Sequence, residues 1–161
     1  MPSMPDPNTL GATSPVDHAP RGVRVLLDAN VVLDWLLDRQ PWAEEAAPLW
    51  QARDEGRLIT YLPASILTDI FYIARRQVGA EVALAGVDRC LALDILPVEK
   101  MTSLRARTLP GGDFEDNVGM ACAEAAHLEF IVTRNPDDFR QSPVVVLSPL
   151  ALVAHLGAKS G

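Results

Sequence analysis

Val23-Arg24-Val25-Leu26-Leu27-Asp28-Ala29-Asn30-Val31-Val32-Leu33-Asp34-Trp35-Leu36-Leu37 is the stretch whose reading decides the fold. Its first five residues are valine and leucine around a single Arg24, and the run stops at an aspartate. A short apolar run of that kind reads as a buried strand. Asn30 then precedes Val31 to Leu37, which suits a short helix with Asn30 as its cap. A buried strand that feeds straight into a helix is the opening of a βα unit.

Working outward, Pro41 opens a second helix that runs to about Glu55 and stops at Gly56. Leu58–Leu62 reads as a strand, and Pro63 starts a helix with Ile66, Leu67, Ile70, Phe71, Ile73 and Ala74 at helical spacing, ending near Gly79. An amphipathic helix is expected over Ala80–Leu93, a strand over Asp94–Val98 and a short polar helix over Lys100–Leu109. Gly111-Gly112 breaks the chain before a helix from Asp113 to about His127. Glu129–Thr133 and Val144–Leu147 read as strands, and Ser148-Pro149 opens a C-terminal helix. Strands separated by helices pair in parallel through crossovers, so the expected architecture is a three-layer α/β/α sandwich around a mostly parallel sheet of about five strands. Residues 1–21, rich in Pro, Ser, Asp, Asn and Gly, read as a disordered tail or a non-native remnant, and 22–157 as one domain.

The bulk composition narrows the functional classes. With 48% hydrophobic residues in 161, a core can form without disulfides. The two cysteines, Cys90 and Cys122, have no CxxC or zinc-type spacing and read as buried reduced thiols, in keeping with a cytoplasmic protein. No membrane span is expected, because Asp28 and Asp34 interrupt the most apolar stretch, and the first twenty residues do not resemble a signal peptide. The net charge of −7 is opposite to that of a protein binding nucleic acid through a basic surface. Either the acids form a solubilising surface, or some are gathered in one pocket where a metal ion bridges to phosphate.

In an open parallel sheet, ligands bind beyond the carboxyl ends of the strands. That rule selects Asp28 after the first strand and Thr133-Arg134-Asn135 after the fourth. Asp69 lies in an otherwise apolar helical face beside Ile66, Ile70 and Ile73. Positions 113, 116, 117 and 120 share one helical face, and Phe114, Val118, Ala121 and Ala125 another, so Asp113 and Asp116 project together. Each acid alone has an ordinary explanation: Asp28 as a cap, Asp69 turned to solvent, Asp113 with Asp116 as an N-terminal capping pair. Several carboxylates brought together need a positive charge between them, and hard oxygen donors suit Mg²⁺ or Mn²⁺.

Four segments together resemble the PIN domain nucleases, including the VapC-type toxins of bacterial toxin–antitoxin pairs. They are Leu26–Asp34, Pro63–Ile70, Asp113–Asn117 and Ile131–Phe139, and the resemblance spans roughly Val23 to Pro149. It implies a metal-dependent ribonuclease whose acids fall on Asp28, Asp69 and Asp116, with Asp113 a companion, all four as metal ligands and catalytic residues. Asn30, Thr133 and Asn135 would support the site, and Arg134, with Arg39 or Arg75, would contact RNA phosphates. The resemblance also implies an antitoxin partner and a homodimer. Asp69 stands where the family more often has Glu. Asn135 stands where it often has Asp, and Asp113 is expected to supply the missing charge.

Two other readings are open. A catalytically weak PIN-like module would bind a partner, through a surface carrying Trp35, Trp42 and Trp50. A phosphatase of the haloacid dehalogenase type would need a second aspartate two residues after Asp28, where Asn30 stands.

Overall fold

The computed structural model of the chain describes residues 22–161, and the tail expected at 1–21 lies outside the described residues. The strand β1 (Val23–Leu27) occupies the centre of a five-stranded sheet with order β3-β2-β1-β4-β5. Its partners are β2 (Leu58–Pro63), β3 (Asp94–Leu96), β4 (Phe130–Val132) and β5 (Val145–Leu147), and every pairing is parallel. Side chains alternate across a strand. Val23, Val25 and Leu27 therefore enter one core with Leu49, Leu58, Leu62, Ile70 and Leu152, while Leu26 enters a second with Met120, Ala121, Ile131 and Phe139. Both faces of the sheet are thus covered, which is why β1 carries almost no polar residue.

The first core is roofed by α1 (Ala29–Leu37), α2 (Trp42–Asp54), α3 (Ile66–Val78), α4 (Ala80–Leu91) and α7 (Pro149–Lys159). The second is roofed by α5 (Lys100–Thr108) and α6 (Phe114–Ala125). The three-layer α/β/α expectation holds, with the sheet wholly parallel.

Three local expectations change. The cap of α1 is Asp28 itself, whose Oδ1 accepts from the Ala29 N–H at 2.8 Å, so the helix begins before Asn30. Pro63 is the last residue of β2, paired with Leu96 at the end of β3, and α3 starts three residues later at Ile66. Phe114, grouped in sequence with Val118 and Ala121, is 52% exposed at the first position of α6. No helix among the described residues is long and apolar enough to cross a membrane.

Candidate active site

The strand order reverses between β1 and β4: β2 and β3 extend from one side of β1, and the chain then returns to add β4 and β5 on the other. Such a switch point leaves a crevice at the carboxyl ends of the two strands. Asp28 sits there, its backbone N–H donating to the Val132 carbonyl at 2.9 Å. The Thr133 hydroxyl, on a fully buried side chain, donates to Asp28 Oδ2 at 2.9 Å, and the Asn135 N–H donates to the same Thr133 oxygen at 3.2 Å. Burial raises the Asp28 carboxyl above its ordinary value, and the hydrogen bonds from Thr133 and Ala29 only partly oppose it. One oxygen of Asp28 caps α1 and the other is held by Thr133, so its orientation is set from two sides.

The start of α6 forms the facing wall. Asp113 caps the helix, Oδ1 accepting from the N–H groups of Glu115 at 2.8 Å and Asp116 at 3.3 Å. The capping role of this pair and its place in the cleft are therefore compatible. Behind it, buried Asn117 donates from Nδ2 to the carbonyls of Ala106, Leu109 and Gly111 at 3.1–3.3 Å, tying the end of α5 and the loop to α6. A Cβ at Gly111 would collide with Asn117 Oδ1, so this loop approach needs glycine.

Between these walls lies an open cleft of about 520 Å³. It brings together Asp28, Asn30, Asp69, Asp113, Asp116 and Asn135 from the sequence expectation, with Thr133 directly beneath Asp28. Two further acids join them, Glu115 and Asp138. Asp138 arrives on a 3-10 turn, Pro136–Phe139, that anchors Phe139 in the second core. Its signal in sequence is that one turn: a carboxylate three residues after Asn135, where a charge is missing. Glu115 has no comparable local signal, because it matters only through its neighbours in space.

The acids disturb one another. Burial, then Asp28, Asp113 and Asp138, push the Asp116 carboxyl up to about 6. Burial, then Asp69, Asp113 and Asp116, push Glu115 to about 7. Like charges gathered this closely resist ionisation.

Arg134 does not line this cleft. Its Nε stands 3.0 Å from Oδ2 of Asp34, a carboxylate only 1% exposed on the buried side of α1, and its guanidinium lies over the Trp42 ring at 4.0 Å. Arg39 stands 3.8 Å from the other Asp34 oxygen. The pair bolts α1 and α2 to the residue after Thr133, so Arg134 is placed to position β4's end. Trp35 stacks on Trp50 at 4.1 Å with Arg89 above it, and the three tryptophans do not form one surface.

Among the described residues, no three acidic, histidine or cysteine side chains close around one point as a preformed ion cage. Mg²⁺ does not demand one, since it keeps several waters and takes one or two carboxylates together with substrate phosphate. The donors converging here are carboxylate oxygens without sulfur or imidazole, and burial followed by the neighbouring acids raises Glu115 and Asp116 among them. The residues fit a hard divalent cation.

A family model described as PIN domain matches residues 24–137, most of the chain. The chain belongs to the PIN domain family. No curated protein sequence matches it significantly. Solved structures share the fold at low identity. The DNA-bound VapBC of Salmonella typhimurium is 17% identical, with a TM-score of 0.63 over 79% of this chain and 98% of that one. VapC20 of Mycobacterium tuberculosis, a sarcin–ricin-loop-cleaving toxin, is 12% identical, with a TM-score of 0.61 over 72% and 93%. A toxin–antitoxin complex from Klebsiella pneumoniae is 19% identical, with a TM-score of 0.58 over 78% and 97%. In this PIN domain the acidic cleft lies at the sheet's switch point, where the sequence rule expected it.

Proposed function

We propose that this PIN domain is a divalent-metal-dependent ribonuclease and the toxin of a toxin–antitoxin pair. The observation that carries the reading is the convergence of Asp28, Asp69, Asp113 and Asp116 on one cleft at the ends of β1 and β4, where burial and, after it, neighbouring carboxylates raise the carboxyls of Asp28 and Asp116. Asp28 and Asp116 would hold a Mg²⁺ or Mn²⁺ ion, with Asp113 and Asp69 completing its outer contacts through water. A bound ion supplies positive charge to a scissile phosphate and makes water a stronger acid. Asp138 supports the site where Asn135 brings no charge. Thr133 keeps Asp28 aimed, and the Asn117 clamp keeps Asp113 in register. Hydrolysis would leave a 5′-phosphate and a 3′-hydroxyl.

The toxin role is supported by the likeness to VapBC and toxin–antitoxin structures. In that role an antitoxin would cover the acidic cleft, and a homodimer and a cytoplasmic location follow from the resemblance. The rival reading, a binding module of little catalytic power, is favoured by Asn135, neutral and exposed at the cleft's edge.

The experiment is calorimetric titration of Mg²⁺ and Mn²⁺ into wild type and the Asp28→Asn, Asp116→Asn double variant, with labelled single-stranded RNA assayed in the same buffers. Binding and cleavage that both vanish in the variant support the nuclease. Metal binding by an RNA-inert wild type favours the binding module, and no binding at millimolar metal removes the metal site.

A further inference from the structure

Helix α3 sends more than Asp69 into the cleft. Asp69, Tyr72, Ile73 and Arg76 all line it, at the i, i+3, i+4, i+7 spacing of one helical face. Tyr72 lies one turn beyond Asp69, and Arg76 about one turn beyond that. The adjoining face of α3, with Ile66, Ile70 and Ala74, already serves the core, so folding gives no reason for an aromatic ring at Tyr72. Tyr72 is nevertheless 56% exposed. Phe71 meets its ring at 69° with 5.2 Å between centroids, bracing it without a parallel stack.

Arg76 is the one cationic side chain lining the cleft among the described residues. No carboxylate of the described residues stands within 4.0 Å of it, which it shares with Arg24, Arg75, Arg89 and Arg107, but of these arginines Arg76 alone lines the cleft. Nor does its charge ease the crowding of Asp28, Glu115 or Asp116. A positive charge kept apart from a nest of acids is free for an anion that is brought in, and a planar ring one turn away asks for a planar partner. A nucleotide carries both. In a chain of net charge −7, a polyanion crossing this cleft meets few other cations.

We propose that Tyr72 and Arg76 form a nucleotide subsite on the α3 wall, Tyr72 stacking a base and Arg76 pairing with a phosphate next to the scissile one. The assignment rests on the nuclease reading above and makes single-stranded RNA the substrate, because bases held in a duplex are not free to stack on a side chain. Stacking accepts any base, so the subsite adds affinity with little sequence preference.

Binding of a fluorescein-labelled RNA octamer is followed by anisotropy in the Asp116→Asn background, with Mg²⁺ present, so that turnover does not interfere. Tyr72→Ala is expected to weaken binding about tenfold, and Tyr72→Trp to retain it. Arg76→Ala should reduce the slope of log affinity against log salt by about 0.7, and Arg76→Lys should keep it. With Asp116 restored, both alanine variants should raise KM for cleavage while kcat changes less than twofold. If wild type cleaves RNA and neither alanine substitution alters affinity, salt slope or KM, the subsite is refuted and the nuclease stands. If Tyr72→Ala changes the sedimentation behaviour and leaves RNA affinity intact, this face is an interface between protein chains and the subsite is refuted. If wild type neither binds nor cleaves RNA with Mg²⁺ or Mn²⁺, the nuclease reading fails and the subsite with it.

Discussion

Replacing Asp116 by asparagine should make the metal-free protein more stable at neutral pH, although it removes a residue of the proposed site. In the folded protein the Asp116 carboxyl is raised from 3.8 to about 6. Its proton therefore favours the fold: the contribution is fully present below about pH 4 and is lost as pH rises through 6. A shift of this size corresponds to about 3 kcal/mol at ~1.4 kcal/mol per unit. The carboxyl faces an open cleft, so solvent screening reduces that to roughly 1–2 kcal/mol. Asparagine has no proton to lose and escapes the repulsion from Asp28, Asp113 and Asp138. The assay is thermal unfolding of both proteins in EDTA at pH 4 and pH 7.5. Near-equal midpoints are expected at pH 4, and a variant higher by roughly 3–6 °C at pH 7.5 for a domain of this size. Mg²⁺ should then close the gap by stabilising wild type alone, since a ligand that binds only the native state adds about 2.7 kcal/mol at a hundred times its Kd. A variant less stable than wild type at pH 7.5 without metal would refute the crowding of the acids and, with it, the physical case for a cation.

Two further substitutions test the scaffold around the cleft. Arg134→Met leaves the Asp34 carboxylate, which burial raises and Arg134 most strongly opposes, without its closest cation and should cost roughly 2–4 kcal/mol in urea unfolding, while Asp34→Leu combined with Arg134→Met should recover much of the loss; a neutral single variant would show that the pair does not hold α1 to the end of β4. Asn117→Ala strands three carbonyls and should cost roughly 2–4 kcal/mol. Gly111→Ala strikes the same amide, so the double variant should cost less than the two single losses added, and strict additivity would mean that they do not share a contact.

The sheet and the neighbourhood of the site were legible because they rest on local rules. A valine–leucine run between two polar boundaries has little choice but to be a strand covered on both faces, and the next segment then has to cross over. Asp28, Thr133 and the Asp113–Asp116 pair follow from where those elements end. Position along the chain also showed that Asn135 brings no charge. The sequence offered both Asp28 and Asn30 as caps of α1, two equally good capping residues, and only the observed geometry chooses Asp28.

The sequence by itself determined the order of strands and helices along the chain and put Asp28 past the carboxyl end of β1 and Thr133-Arg134-Asn135 past that of β4, since hydrophobic runs and turn residues act over a few neighbours. Tertiary structure alone decided what each charge meets. It turned Arg134 away onto Asp34 and Trp42, brought Glu115 from α6 beside Asp69 from α3, delivered Asp138 on a 3-10 turn, and left Arg76 as the cleft's cation. Electrostatic energy depends on separation through space and on the water removed from between charges, and neither is written in the spacing of residues along a chain.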